Sequence, residues 1–280
     1  AVAPMAIRIV SDASAGLPRA FCQEEGILLA PLGIHLQDEL LEETYLEDMI
    51  DPTRLAGAKT SQAQLRVFAA MFERIVLDGD EAVCFCLSSS LSGTFAAAKL
   101  AAEMVGGSAI RVVDTKTGVG GHRILVENAV RRRNAGASLE GILEAAAYEI
   151  AHCAALFTTG DLQALRRSGR LGGAQALLGG MMRVHPVLCL NEQGAIQVLD
   201  RVRGEQRALD ALVERLPNAP GRVAVCYTKE EERAAALLEQ VRLRRPACRP
   251  ALMRAGAVIA CHLGLSAFGL LHVQSPEDGM

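Results

Sequence analysis

The sequence predicts an α/β protein with two α/β domains: an N-terminal three-layer domain with a parallel sheet and a C-terminal domain with a mixed sheet. In the first half of the chain, short apolar runs typical of strands alternate with helical patterns. This alternation favours a parallel sheet covered by helices on both faces. In the second half, two short strand-like runs are joined by Asn191-Glu192-Gln193-Gly194, a good hairpin turn, so antiparallel pairing is expected there.

The domain boundary is predicted near residue 153, between an N-terminal domain of residues 1–152 and a C-terminal domain of residues 153–280. No Gly/Ser-rich linker marks this boundary, so the domains are expected to pack closely rather than swing freely. In the N-terminal domain, strands are predicted at 7–10, 27–34, 82–87 and 110–114. Helices are predicted there at 65–77, 95–105, 124–133 and 139–152.

The C-terminal domain is predicted to combine short strands with helices in a mixed order. Its strands are predicted at 155–159, 187–190, 195–199, 223–228, 257–261 and 270–273. Its helices are predicted at 206–216 and 231–243. This pattern completes the expectation of a second α/β domain.

Composition narrows the class of protein. The chain has 280 residues, half of them hydrophobic, and a formal net charge of −3, so no general attraction to nucleic acid is expected. Its 8 cysteines include no Cys-x-x-Cys pair, and most lie in apolar runs, so they are interpreted as buried thiols in a reducing compartment rather than as disulfides or metal ligands. Neither a signal peptide nor a long apolar segment is found, and a cytoplasmic protein is expected.

Two hydroxyl-rich segments are the strongest candidates for a binding site. Ser88-Ser89-Ser90-Leu91-Ser92-Gly93-Thr94 lies between a predicted strand and a predicted helix, where free backbone N–H groups and hydroxyls attract an anion. The segment contains no Lys or Arg, which suits a carboxylate better than a polyphosphate. Thr60-Ser61-Gln62 opens a second helix, and both helix starts are expected to face one crevice at the strand ends. The alternative is that these hydroxyls only cap helices.

Several motifs in a consistent order resemble the DegV family of fatty-acid-binding proteins, the lipid-presenting subunits of bacterial fatty acid kinase. The resemblance extends over nearly the whole chain. The motifs that carry it are the opening strand and loop at 7–18, Lys59-Thr60-Ser61-Gln62, the serine-rich loop at 88–94, Val112-Val113-Asp114-Thr115-Lys116, the basic glycine turn at 165–171, Arg203 with Arg207, and Val258-Ile259-Ala260-Cys261-His262-Leu263-Gly264.

The resemblance implies a long-chain fatty acid held between the two domains. In such a protein Thr60, Ser92 and Gly93 would bind the carboxyl group, and His262 would lie near it. Ser61, Asp12 and Ser14 are further candidates for contact with this head group. The resemblance gives Arg170 and Arg203 a place at the mouth, where a partner kinase and its ATP would approach.

The resemblance also implies that the chain itself is not an enzyme. It would present the carboxylate to a separate ATP-dependent kinase that makes an acyl phosphate, in phospholipid metabolism, with the fatty acid as its ligand and no cofactor or metal. Transient contact with a membrane surface is a further expectation. One departure from the family is His262-Leu263-Gly264-Leu265-Ser266, where the family usually has His-Thr-Gly-Pro-Gly.

Two other functions remain open at this stage. The Ser92 loop could serve a serine-dependent hydrolase or a phosphoryl-handling enzyme, with Asp12 and His262 as partners of the serine. A regulatory protein whose lipid controls the choice of partner is the other reading. The sequence leaves the length and saturation of the tail undetermined.

Overall fold

The computed structural model describes residues 5–48, 50–55, 57–106, 108–172 and 184–279. Three sheets organise this part of the chain: a parallel sheet, a small antiparallel sheet and a mixed sheet. The strands are β1 Ile7–Asp12, β2 Leu28–Ala30, β3 Leu32–Leu36, β4 Glu39–Glu43, β5 Lys59–Ser61, β6 Glu81–Cys86, β7 Ile110–Asp114, β8 Cys153–Thr159, β9 Val184–Leu190, β10 Ile196–Arg203, β11 Gly221–Tyr227, β12 Cys248–Arg254 and β13 Ala267–Val273. The helices are α1 Arg19–Glu25, α2 Leu65–Leu77, α3 Thr94–Met104, α4 Val119–Asn134, α5 Leu139–Ala151, α6 Leu162–Arg167, α7 Glu205–Arg215, α8 Glu231–Arg244 and α9 Ala257–Leu263.

The parallel sheet has the strand order β2-β1-β6-β7, and each neighbouring pair is parallel. The side chains of alternate residues in β6 point to opposite faces of the parallel sheet. Val83 and Phe85 pack with α4 and α5, whereas Cys84 and Cys86 pack with α2 and α3. The three-layer arrangement predicted for the first half is therefore confirmed, and α2 has the predicted bounds of 65–77.

The predicted strand at 27–34 is in fact two strands in two different sheets. β2 joins the parallel sheet, and β3 forms the centre of the small antiparallel sheet, whose order is β4-β3-β5. Pro31 separates them. Because proline has no N–H to donate to a ladder, the chain leaves one sheet at this residue and enters another. In this small sheet, β5 carries Thr60 and Ser61, two of the residues predicted to bind a ligand.

The mixed sheet has the order β10-β9-β8-β13-β11-β12. Its predicted hairpin is confirmed: β9 and β10 pair antiparallel, and the turn closes with a 2.9 Å bond from Asn191 N to Ala195 O. β12, at the edge of this sheet, was not predicted. Pro250 is tolerated in β12 because an edge strand need not use every N–H in a ladder.

The predicted strand at 257–261 is wrong, because Ala257–Leu263 forms helix α9. A short apolar run does not distinguish a strand from a buried helix by periodicity. Here one helical face, with Ala257, Val258 and Ala260, is buried against the small sheet and its neighbours. Cys261 and His262 are only partly buried.

Helix α4 joins the two larger sheets into one core. It packs against β1 and β6 on one side and against β11 and β13 on the other. Gly120 makes the second contact possible, since a Cβ there would lie 2.2 Å from Ala224 Cβ. The predicted domain boundary coincides with the step from α5 to β8, and the division at residue 152 stays a prediction. Among the described helices, none combines the length and apolar character needed to cross a membrane.

Candidate functional site

A cavity of about 1090 Å³, counted out to its open mouth, lies between the mixed sheet, α9, the small sheet and the serine-rich loop. Most of its wall is apolar. The apolar lining residues include Leu32, Leu87, Leu91, Val119, Ala155, Phe157, Leu190, Ile196, Cys226, Val258, Ile259, Leu263, Phe268 and Leu271. The polar lining residues include Thr60, Ser61, Gln62, Ser92, Ser168, Arg170, Tyr227, Thr228 and His262.

The cavity lining extends along the strands of the mixed sheet. Thr159 Oγ1 donates to Leu263 O, so the last turn of α9 lies beside the end of β8. Ala155, paired with Leu271, lies four residues back along the same strand. At the usual rise per residue, this apolar row is about 13 Å from the polar end. The lining therefore extends over about 13 Å, with His262 near one end and Ala155 near the other.

The polar end is open to solvent. Gln62 and Gly93 are exposed, and Thr60, Ser92 and His262 are partly exposed. At the deep end, Ala155 and Leu271 are buried. A ligand bound along the cavity would therefore show one polar end to the outside and bury the rest.

Thr60 and His262 form the centre of the polar end. His262 Nε2 lies 2.8 Å from Thr60 Oγ1, which joins the last turn of α9 to β5. Burial, with a smaller contribution from the positive charge of Arg170, lowers the pKa of His262 to about 4. The imidazole is therefore neutral at physiological pH. A neutral imidazole and a hydroxyl can share one hydrogen bond and offer another to a carboxylate.

The serine-rich loop has a structural half and a cavity half. Ser88 Oγ donates to Gly194 O at 2.8 Å and Ser90 Oγ donates to Gln193 O at 2.7 Å, which fastens the loop to the β9–β10 hairpin. Ser92, in contrast, lines the cavity. Its Oγ lies 2.9 Å from Thr94 Oγ1 and accepts from Thr94 N at 3.3 Å. Ser92 precedes Gly93, the N-cap of α3, and this cap has no side-chain hydrogen bond, so the hydroxyl of Ser92 is not the cap of the helix.

The two hydroxyl-rich segments touch each other, as expected for two helix starts that face one crevice. A Cβ on Gly93 would lie 1.9 Å from Gln62 Oε1, so the side chain of Gln62 lies directly against Gly93. Ala63 N also donates to Thr94 Oγ1 at 3.2 Å. Ser61 is part of the lining, but its hydroxyl lies 3.1 Å from His35 Nε2. Thr60 and Ser92 therefore have the hydroxyls best placed for a ligand.

The structure separates the two predicted arginines. Arg170 lines the cavity, and its Nε donates to Leu91 O at 3.2 Å. Arg203 is exposed at the end of β10, where it pairs with Val184, and it is not among the lining residues. Arg170 brings a positive charge to the polar end, whereas a role for Arg203 in partner contact stays a prediction.

Asp12 and Ser14 are not brought to the cavity. Asp12 is fully buried, and its two carboxylate oxygens accept from Ser14 N at 2.9 Å and from Leu87 N at 2.7 Å. Ser14 Oγ lies 3.1 Å from Nδ1 of the buried His122. Backbone amides thus occupy the acceptors that a ligand contact would need. Because Leu87 lines the cavity, the bond from its amide to Asp12 stabilises the cavity wall.

The contacts do not assemble the machinery of a serine hydrolase. The base that was considered for Ser92 is His262, which is bonded to Thr60 instead. Asp12, the proposed third member, is committed to backbone amides. Within the described ranges, no group of three His, Cys, Asp or Glu side chains is arranged to hold a metal ion. All 8 cysteines are free thiols.

Tyr227 and Thr228 are lining residues that the sequence analysis missed. Tyr227 is the last residue of β11 and Thr228 follows it, and Tyr227 is almost completely buried. Burial is the main cause that raises the pKa of Tyr227, with Glu231 adding to it. Their position at the end of a strand was the available signal, since ligands of α/β sheets bind at strand ends.

Fold and site together define an α/β protein with an internal cavity for an elongated ligand that has one polar end. The sequence matches the model of the family described as "Uncharacterised protein, DegV family" over residues 6–275. The chain is 32% identical over 273 residues to a DegV domain-containing protein of Mycobacterium tuberculosis, which covers 95% of this chain and 96% of the relative. It is 34% identical over 278 residues to another of Streptomyces coelicolor, with 95% and 97% covered. The chain therefore belongs to the DegV family.

Solved structures of DegV proteins have the same fold. A fatty-acid-binding DegV family protein from Thermus thermophilus superposes with a TM-score of 0.87 at 28% identity, covering 96% of this chain and 100% of that one. DegV from Bacillus subtilis, described as a fatty acid binding protein, superposes with a TM-score of 0.84 at 26% identity, covering 96% and 99%. The fold class expected from the resemblance is confirmed.

Proposed function

We propose that this chain binds one long-chain fatty acid, with the tail in the apolar part of the cavity and the carboxylate at its open polar end. The largely apolar lining, with the partly exposed Thr60, Ser92 and His262 among its polar residues, carries this proposal. The fatty acid binding described for the Thermus thermophilus and Bacillus subtilis proteins supports it.

The tail supplies most of the affinity. A chain of about sixteen carbons, at about 0.8 kcal/mol per buried methylene, contributes on the order of 10 kcal/mol before the cost of ordering the ligand. The long apolar wall around Phe157 and Leu271 provides the surface for this burial.

The head group is oriented by hydrogen bonds and one positive charge. Thr60 and Ser92 offer hydroxyls, and the neutral His262 offers an imidazole nitrogen. The start of α3 at Gly93 adds the partial positive charge of a helix N-terminus. Arg170 compensates the carboxylate charge at longer range. These groups fix which end of the ligand faces outward.

We further propose that the chain presents this carboxylate to a separate ATP-dependent fatty acid kinase, which forms an acyl phosphate in phospholipid metabolism. The open polar mouth supports presentation, because the reacting oxygen would remain reachable from outside. The exposed Arg203 is a candidate contact for the partner or its phosphates. In this proposal the chain itself performs no chemistry, works in the cytoplasm, and touches a membrane surface only to exchange its ligand.

The first experiment is mass spectrometry of lipid extracted from the undenatured purified protein. One fatty acid per chain is expected, and its mass gives the tail length and saturation. A protein that is empty and that also fails to bind added fatty acids would overturn the proposal. For the second part, acyl phosphate should form only when lipid-loaded protein, ATP and a DegV-associated kinase are all present.

A further inference from the structure

We infer that Glu43 is a positioning residue for the polar end of the cavity: from β4, its carboxylate holds the start of helix α9 and so keeps His262 in place against Thr60. This inference rests on the proposed function, because it deepens the account of the same site. It assigns a role to a buried acidic residue that lies outside the cavity lining.

The contact between Glu43 and α9 is direct. Glu43 is only 3% exposed, and its Oε2 accepts from Val258 N at 2.9 Å. A Cβ on Gly256 would lie 1.8 Å from Glu43 Oε1, so the carboxylate fits closely against the chain where the helix begins. The carboxylate therefore satisfies amides at the start of α9 that have no helical partner.

The register of the small sheet places both attachments of α9 on one face. Glu43 lies opposite Leu32, and Thr60 lies opposite Ile34, on the two sides of β3. Residues two apart on a strand point to the same face, so Glu43 and Thr60 share the face on which α9 packs. The two attachment points are about 7 Å apart along the strands and about 10 Å apart across them.

Helix α9 needs attachments because it has only 7 residues. A helix this short is not stable by itself. Its Val258, Ile259, His262 and Leu263 line the cavity. Glu43 holds its first turn and Thr60 holds its last, so a loss of the first attachment would let His262 move relative to the ligand.

The surroundings of Glu43 are poor in compensating charge. Burial is the main cause that raises the pKa of Glu43 to about 7; hydrogen bonds from the Val258 and Ala257 amides oppose this rise, and the charge of Asp48 adds to it. On α9, the thiol of Cys261 also faces it, and burial with the charge of Glu43 raises the pKa of that thiol to about 11. An apolar side chain would fill the same space without this cost. What a carboxylate adds is a directed bond to the helix.

The test uses four variants and two measurements. Glu43→Ala removes the acceptor, Gly256→Ala displaces it, and Glu43→Gln keeps an acceptor oxygen without charge. Glu42→Gln is the matched control, because Glu42 is exposed on the opposite face of the same strand. The measurements are the Kd for hexadecanoic acid and the pKa of His262 from NMR titration of the ligand-free protein.

We expect Glu43→Ala and Gly256→Ala to weaken binding at least tenfold and to move the pKa of His262 upward from about 4, towards its ordinary value of 6.5. Glu43→Gln and Glu42→Gln should stay within about threefold of the wild type, with the pKa of His262 still low. A residue that served stability alone would leave the pKa of His262 unchanged in the folded variants.

The inference is overturned if folded Glu43→Ala or Gly256→Ala protein retains both the low pKa of His262 and the wild-type Kd. If one of the two variants does not fold, the other still gives both readings. Failure of the wild type to bind the fatty acid would instead overturn the proposed function. In that case the titration of His262, which needs no ligand, still decides whether Glu43 positions it.

Discussion

A leucine at position 155 should shorten the deep end of the cavity. Ala155 is buried on β8, lines the cavity, and lies about 13 Å from the polar end along the strand. Ala155→Leu adds three carbon atoms, which would occupy space otherwise available to about three methylenes of the tail. At about 0.8 kcal/mol per methylene, a ligand that fills the cavity loses about 2.4 kcal/mol. This corresponds to a roughly fifty-fold weaker Kd.

The assay is a set of Kd values for saturated fatty acids that lengthen by two methylenes at a time. The variant should match the wild type for short chains and fall behind it only for chains that reach position 155. Ala154→Leu is the matched control, since the neighbouring side chain points to the opposite face of the sheet. The same loss at every chain length would refute the proposed orientation of the ligand, and so would no loss at the greatest length.

Three further predictions concern the residues behind and beside the cavity. Asp12→Ala should reduce the free energy of unfolding by about 2–4 kcal/mol, measured by urea denaturation, because two buried backbone amides lose their acceptor. The pKa of Glu43 is raised from 4.5 to about 7, so folding disfavours its ionised form. Relative to Glu43→Gln, the wild type should be most stable below pH 4.5 and lose roughly 3 kcal/mol as the pH rises to about 7. A flat difference across that window would contradict this assignment. Arg203→Ala should leave the Kd for fatty acid unchanged and slow acyl-phosphate formation. Arg170→Ala should raise the pKa of His262, because the charge of Arg170 lowers it. Weaker lipid binding by Arg203→Ala would show that it shapes the cavity.

Local patterns predicted much of the fold because the signals were repeated and unambiguous. Leu65, Phe68 and Phe72 recur at helical spacing, which predicts a helix there, and α2 has the predicted bounds. The hairpin at 191–194 is closed by its own side-chain and backbone bonds, so it too is encoded locally. The run at 257–263 has no such signal. Its helical state depends on a carboxylate from β4 and on burial against the small sheet.

Some of the site residues were predicted from the sequence and others were not, because local patterns do not show how distant elements pack. Thr60, Ser92 and His262, which the resemblance and the hydroxyl-rich segments indicated, line the cavity, and their contact with a carboxylate stays a prediction. Asp12 was expected at the head group, but a buried carboxylate next to unpaired amides accepts from them first. Arg170 and Arg203 look alike in sequence, and only the path of the strands places one in the cavity and the other outside it.

The sequence by itself determined the class of fold, the pattern of strands and helices, and the residue types available to hold a carboxylate. Those properties depend on neighbours within one or two turns of chain. The tertiary structure alone decided which polar groups meet at the mouth of the cavity. Thr60 and His262 are 202 residues apart in sequence, and Glu43 and Val258 are 215 apart. Contacts over such separations arise only when the sheets and α9 pack together, because burial and register, rather than local pattern, bring those atoms within bonding distance.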